Sequence, residues 1–153
     1  MSDKIACFTG HRPEKLTRCE SEIVHDLEDA IQRAAADGYN IFLTGMAPGT
    51  DLLAAETVLR LHAGDLICAL PHPAFGRNFP APWRERFEAV FLRAVMTRCL
   101  SAAATPRCYQ TRNRWMVDHA SLIIAITGNH PGGTENTLRY AVQCGKSIWK
   151  IPG

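Results

Sequence analysis

Three short segments carry residue types suited to holding a charged ligand: "FTGHRPEK" (8–15), "LTGMAPGTD" (43–51) and "ITGNHPGGTEN" (126–136). Each passes through Thr-Gly into a turn. Glycine opens backbone angles closed to other residues and lets a ligand approach the main chain. The second and third segments then start helix-like stretches at Gly49-Thr50 and Gly133-Thr134. Free N–H groups at a helix start, with a Thr hydroxyl beside them, make an anion site. For any one loop, a plain turn with an N-cap competes with that reading. Two such starts on one sheet edge favour the anion site. Neither loop has the Gly-Lys-Ser/Thr of a P-loop or the G-x-G-x-x-G of a dinucleotide fold. An ordinary ATPase or NAD dehydrogenase is therefore disfavoured.

The candidate ligand-binding residues follow from these loops. Thr9, Gly10, His11 and Arg12 belong to the first. Arg12 suits bidentate contact with phosphate or carboxylate, against a rival reading as a solvated basic turn. Gly45, Gly49, Thr50 and Asp51 belong to the second. Asp51 either complements the helix dipole or holds ribose hydroxyls. Gly132, Gly133 and Thr134 belong to the third. A fourth stretch, "TRNRWMVDHAS", adds Arg112, Asn113 and Asp118. Arg112 and Met116 lie four apart on one helical face, so Met116 is expected in the core and Arg112 toward the cleft. An i, i+4 pair between Arg114 and Asp118 is the plainer use of those two charges. Glu56 is divided between ligand contact and surface charge.

These loops need strands and helices to present them. "KIACFTG", "YNIFLTG", "DLICALP", "LIIAIT" and "KSIWKIP" read as strands. "SEIVHDLEDAIQRAAADG" has Ile23, Leu27, Ala30, Ile31 and Ala34 at helical spacing and Gly38 as its stop. "TDLLAAETVLRLHAG" is a helix with Thr50 as N-cap and Gly64 after its end. "RERFEAVFLRAVMTR" reads as one continuous helix, "CLSAAATPRCY" as a short strand and loop, and "TRNRWMVDHAS" as a short helix. "ENTLRYAVQCG" places Leu138, Ala141 and Val142 on one face. Alternating strands and helices predict an α/β fold: a single Rossmann-like domain over 1–153, with a mostly parallel central sheet and helices on both faces. Ligands bind such sheets beyond the carboxyl ends of the strands, at the switch in strand order.

Composition narrows the function classes. The chain has 153 residues, 46% apolar and 21% charged, which suits a soluble globular domain. No apolar run nears the ~20 residues of a membrane span. "MSDKIACFTG" has no secretory leader pattern, so a cytoplasmic protein without a membrane partner is expected. The six cysteines form no C-x-x-C and read as reduced thiols. The histidines are scattered, and no metal site is expected. The net charge is +2, yet residues 71–119 hold eight arginines against Glu85, Glu88 and Asp118. That local excess points to an anionic ligand or a solvated helix face rather than to duplex DNA.

"FTGHRPEKL", "LTGMAPGTDLLAAETVLRL", "YQTRNRWMVDHASLIIAITGNHPGGTENTLRYA" and "KSIWKIP" together resemble the YpsA-like family of the SLOG superfamily of Rossmann-like domains. The resemblance runs from about Lys4 to Pro152 and is loose from Pro71 to Cys108. It implies binding of nucleotides or nucleotide-derived signals, ADP-ribose-like molecules included. Two branches are better understood: the "lonely guy" phosphoribohydrolases and the single-strand-binding DNA-processing protein A. The phosphoribohydrolase pattern is Arg-Lys-x-x-Met, a strand, then P-G-G-x-G-T-x-x-E. Arg112 and Met116 match it, with Asn113 in place of Lys. Pro131 to Thr134 match a shortened loop, which puts Thr137 where the catalytic Glu belongs. Catalytic residues are thus unknown, with Arg112, Glu135 and Glu56 as candidates.

The expected function is binding of an ADP-ribose-, NAD- or AMP-like ligand at the carboxyl edge of the sheet, as a sensor, with no obligatory cofactor. One alternative is a nucleotide N-glycosidase; another is a single-stranded nucleic-acid-binding accessory protein, which is less favoured. Related domains commonly form dimers, and the apolar face of "FEAVFLRAV" offers a homodimer contact.

Overall fold

A computed structural model describes residues 2–128 and 130–153. Six strands form one sheet: β1 (Ile5–Gly10), β2 (Ile41–Thr44), β3 (Asp65–Leu70), β4 (Met96–Cys99), β5 (Leu122–Thr127) and β6 (Ser147–Pro152). Their order is β4-β3-β2-β1-β5-β6, and every pairing is parallel. Five helices join them: α1 (Glu20–Ala36), α2 (Thr50–Leu61), α3 (Ala81–Arg93), α4 (Cys108–His119) and α5 (Gly133–Gln143). A 3-10 turn, Pro13–Lys15, follows β1. This is the expected α/β Rossmann-like architecture.

The two-residue repeat of the strands divides the core. Ala6, Phe8, Phe42, Leu66, Cys68 and Ile124 face α1, α2 and α3, where Ile23, Leu27, Leu52, Val58 and Phe87 meet them. Cys7, Leu43, Ala69, Ile123 and Ala125 face α4 and α5, where Met116, Val117, Leu138 and Ala141 meet them. Both faces of the central strands are covered, so β5 is apolar throughout instead of alternating. Burial pushes the Cys7 and Cys68 thiols up to about 12, which keeps them protonated. No helix among the described residues is long and apolar enough to cross a membrane.

Several local expectations are corrected. The stretch read as one helix to Arg98 ends at Arg93, and Met96–Cys99 pairs with β3 as the sheet edge. Every residue of β4 is exposed, so it lacks the alternation that marks a strand. Helix α4 begins at Cys108, a turn earlier than the expected helix. Gly49, at φ +88°, is the N-cap of α2, and Thr50 is already helical. The left-handed residue that ends α2 is His62, not Gly64. Val142 is exposed, unlike Leu138 and Ala141.

The chain order creates the site. From β1 the chain winds through β2, β3 and β4 on one side, then returns to β5 on the other side of β1. The loops after β1 and β5 therefore part toward opposite faces at the carboxyl edge, leaving a crevice between them.

Candidate functional site

His11 ties the strand-end loops together. Its backbone N–H donates to Ile126 O at 3.2 Å, and its carbonyl accepts from Thr50 N (3.3 Å) and Thr50 Oγ1 (3.1 Å). Its ring Nε2 accepts from the Gly128 N–H at 2.9 Å. Burial, the neighbouring His130 and Lys15 all lower its pKa, consistent with a neutral ring. Gly10 and Gly49 allow this close approach: a Cβ on Gly10 would overlap the Thr50 side chain, and one on Gly49 would lie 2.7 Å from His11 O.

This packing gives the two Gly-Thr helix starts different fates. Thr50 is fully buried, and its N–H and hydroxyl are both used by His11. The start of α5 is open. Gly132 sits at φ +140°, and among the described residues no side chain caps the helix and a Cβ on Gly133 would meet nothing within 4 Å. Lys15 Nζ donates to Pro131 O at 3.5 Å beside it. Asn129 of this loop lies outside the described residues.

Between these loops lies a cleft of about 230 Å³. Thr9, Gly10, His11, Arg12, Asp51, Arg112, Asn113, Gly132, Gly133 and Thr134 line it, so ten expected residues converge. Gly45, Gly49, Thr50 and Asp118 do not line it. Asp118 instead accepts from the Tyr140 hydroxyl at 2.6 Å, while Arg114 lies 4.8 Å from the Tyr140 ring centre. The expected Arg114–Asp118 ion pair is not formed among the described residues.

At the cleft floor, Arg112 is 4% exposed. Nη1 donates to Gly45 O (2.5 Å) and Ala69 O (3.4 Å), and Nε donates to Asn113 Oδ1 (2.7 Å). Among the described residues, nothing hydrogen-bonds Nη2 and no carboxylate forms an ion pair with Arg112. Asp51 is the carboxylate whose charge acts on it. Its Oδ2 accepts from Ala47 N–H at 3.3 Å. Burial pushes the Asp51 carboxyl up, opposed by Arg112, by the Ala47 hydrogen bond and by Arg12. Burial likewise lowers the Arg112 pKa, opposed by Asp51. A buried, incompletely paired cation in a cleft is equipped to receive an anion.

The carboxylate candidates sit elsewhere. Arg86 clamps Glu56 through Nε–Oε2 (2.9 Å) and Nη2–Oε1 (2.6 Å), and its Nη1 reaches Glu20. Glu135 is exposed and lies 3.5 Å from Arg139. The Thr137 hydroxyl donates to Gly133 O at 2.9 Å. The carboxylates lining the cleft are Asp51 and Glu14. Sequence reasoning did not single out Glu14, Tyr109 or His130. Tyr109 had a usable signal, since it precedes Arg112 by three residues on one helix. Among the described residues, no group of three or more metal-ligating side chains occurs.

No protein-family model matches the chain. No curated protein sequence matches it. Solved structures do. DNA processing protein A from Streptococcus pneumoniae superposes with a TM-score of 0.69 at 19% identity, over 99% of this chain and 50% of that one. DNA processing protein A from Helicobacter pylori, in a structure addressing its single-stranded DNA binding mode, gives 0.72 at 16%, over 98% and 66%. The molybdenum cofactor carrier protein from Chlamydomonas reinhardtii gives 0.64 at 14%, over 99% and 79%. The chain spans half to two thirds of the length of the two DNA processing proteins. At these identities the superpositions show a shared fold alone, the Rossmann-like fold that the superfamily resemblance implies.

Proposed function

We propose that the cleft binds a nucleotide or nucleotide-derived ligand, with phosphate oxygens between the start of α5 and the Arg112 guanidinium. The observation that carries this reading is Arg112, 4% exposed at the cleft floor with Nη2 unpartnered among the described residues. Arg12 and Lys15 add charge at the rim, and Asp51 offers an acceptor to sugar hydroxyls. The YpsA-like resemblance favours AMP-, NAD- or ADP-ribose-like molecules, in a sensing role.

Thermal shift with AMP, ADP-ribose, NAD and cyclic nucleotides tests it. A ligand at a hundred times its Kd adds about 2.7 kcal/mol of stability, a shift of several degrees. Arg112→Met should abolish that shift. Failure of all these ligands to stabilise the wild-type protein at millimolar concentration would sink the proposal.

Single-stranded nucleic acid is the second reading, favoured by the fold shared with the DNA processing proteins and by the exposed Tyr109 ring beside the cleft. The arginine-rich stretch supports it less than its composition implies. Arg86 is engaged by Glu56 and Glu20, and Arg112 is buried. A labelled single strand that fails to shift at low salt would dismiss this reading.

A further inference from the structure

The cleft has a neighbour. A second hollow of about 300 Å³ lies between α4 and α5 and shares Tyr109, Asn113 and Gly133 with the first. Beyond that shared saddle its walls include Gln110, Arg114, Asn136 and Tyr140.

Its aromatic groups are held in place. Tyr109 is 40% exposed, yet Phe75 (5.8 Å) and His72 (6.1 Å) meet its ring edge-on, and the Arg112 guanidinium lies 5.8 Å from the ring centre. An exposed ring braced by its neighbours is a ready platform for a planar group. Tyr140 is tied to Asp118 through its hydroxyl, with Arg114 against its ring. The cations are unevenly placed between the two hollows. The first holds Arg12, Lys15 and Arg112 beside the carboxylates Glu14 and Asp51, whereas the second holds Arg114 with the neutral amides of Gln110 and Asn136. That division suits phosphate in the first and a planar, hydrogen-bonding group in the second. The helix start at Gly133 lies at their junction.

We propose that the α4–α5 groove is a second subsite of the same cleft, taking the base of a two-part nucleotide whose bridging phosphates lie over the start of α5. The proposal rests on the first hollow being a phosphate site. A sugar phosphate without a base occupies the first hollow alone, whereas a nucleoside joined through a pyrophosphate to a second sugar or nucleoside spans both. A longer single strand would bring further phosphates past the groove, where its lining offers only Arg114 as a cation.

Isothermal titration with ribose 5-phosphate, which carries no base, and ADP-ribose tests this on the wild-type protein, Asn136→Trp, Gln110→Trp and Arg112→Met. The Trp variants replace exposed helical residues and fill the groove; circular dichroism checks their folding. The wild-type protein should bind ADP-ribose at least about tenfold tighter than ribose 5-phosphate, the scale of one stacked base. Both Trp variants should lose that advantage and keep ribose 5-phosphate affinity within about twofold, while Arg112→Met weakens both ligands. Equal affinity for the two ligands in the wild type, or an advantage that survives both Trp variants, overturns the second subsite and leaves the phosphate site standing. If neither ligand binds, the phosphate reading falls and takes the subsite with it. Tighter binding of a short oligothymidine, lost in the Trp variants, overturns the assigned occupant.

Discussion

Asp51 and Arg112 close over the same glycine. A Cβ on Gly45 would lie 2.8 Å from Asp51 Oδ2 and 2.8 Å from Arg112 Nη1. Gly45 also supplies the carbonyl that holds Nη1, so one residue anchors the cation and leaves room for both charges at the cleft floor.

Gly45→Ala should therefore act on the site through its floor. The added methyl meets a buried guanidinium and a buried carboxylate, and overpacking of this kind costs about 1–3 kcal/mol. Chemical denaturation should show that loss, and nucleotide affinity should fall with it. Unchanged stability would mean that the two side chains yield freely.

Asp51 makes a signed pH statement. Burial raises its pKa above the ordinary 3.8. The native state then holds this proton more tightly than the unfolded chain, so the group's contribution to stability falls as pH rises from 3.8 through the raised value. Asp51→Asn removes that loss. The wild type minus variant difference in unfolding free energy should favour the wild type most in acid and decline with rising pH. A difference that grows with pH would show that Arg112 overcomes burial and depresses the native pKa.

His11 has the opposite sign. Its pKa is lowered from 6.5, chiefly by burial, and its Nε2 accepts from Gly128 N–H. The neutral ring contributes stability above pH 6.5, lost as pH falls toward the lowered native value. Melting temperature should drop from pH 7 to pH 5 in the wild type, and less steeply in His11→Asn. Parallel curves for the two proteins would remove this role.

How much of this was readable depends on which contacts are local. The spacing of Ile23, Leu27 and Ile31 identifies α1, and the run Leu122–Ile126 identifies a strand buried on both faces. β4 was hidden because Phe87, Val90 and Phe91 carry a helical pattern toward it, while its own residues alternate nothing. At the site, Gly-Thr marks positions where the main chain is closely approached, but the approaching group is set by tertiary packing. At Gly49-Thr50 it is the carbonyl of His11, thirty-nine residues before Thr50 in sequence; at Gly133 no group among the described residues comes within 4 Å of where a Cβ would sit. The two motifs look alike until the loops are placed together.

The Arg86 clamp separates a structural carboxylate from a chemical one. It joins α3 to Glu56 on α2 and Glu20 on α1, away from the cleft lining. Partly exposed ion pairs of this kind contribute up to about 1 kcal/mol. Arg86→Ala should lower the melting temperature by about 2–4 °C. It should leave nucleotide affinity unchanged in titration; a loss of affinity would connect Glu56 to the site after all.

Cleavage of a bound nucleotide is the harder demand on this cleft. Breaking an N-glycosidic bond builds positive charge on the sugar and needs a carboxylate near it. Thr137 stands where the phosphoribohydrolase pattern has Glu, and its hydroxyl is engaged by Gly133 O. Glu135 and Glu56 do not line the cleft. Asp51 is biased by burial toward its neutral form, and Glu14 is exposed on the 3-10 turn at the rim. AMP incubated with the protein should therefore be recovered intact, as followed by chromatography of free adenine. Adenine release that disappears in Glu14→Gln, with AMP still bound, would turn the holding site into a cutting one and name its carboxylate.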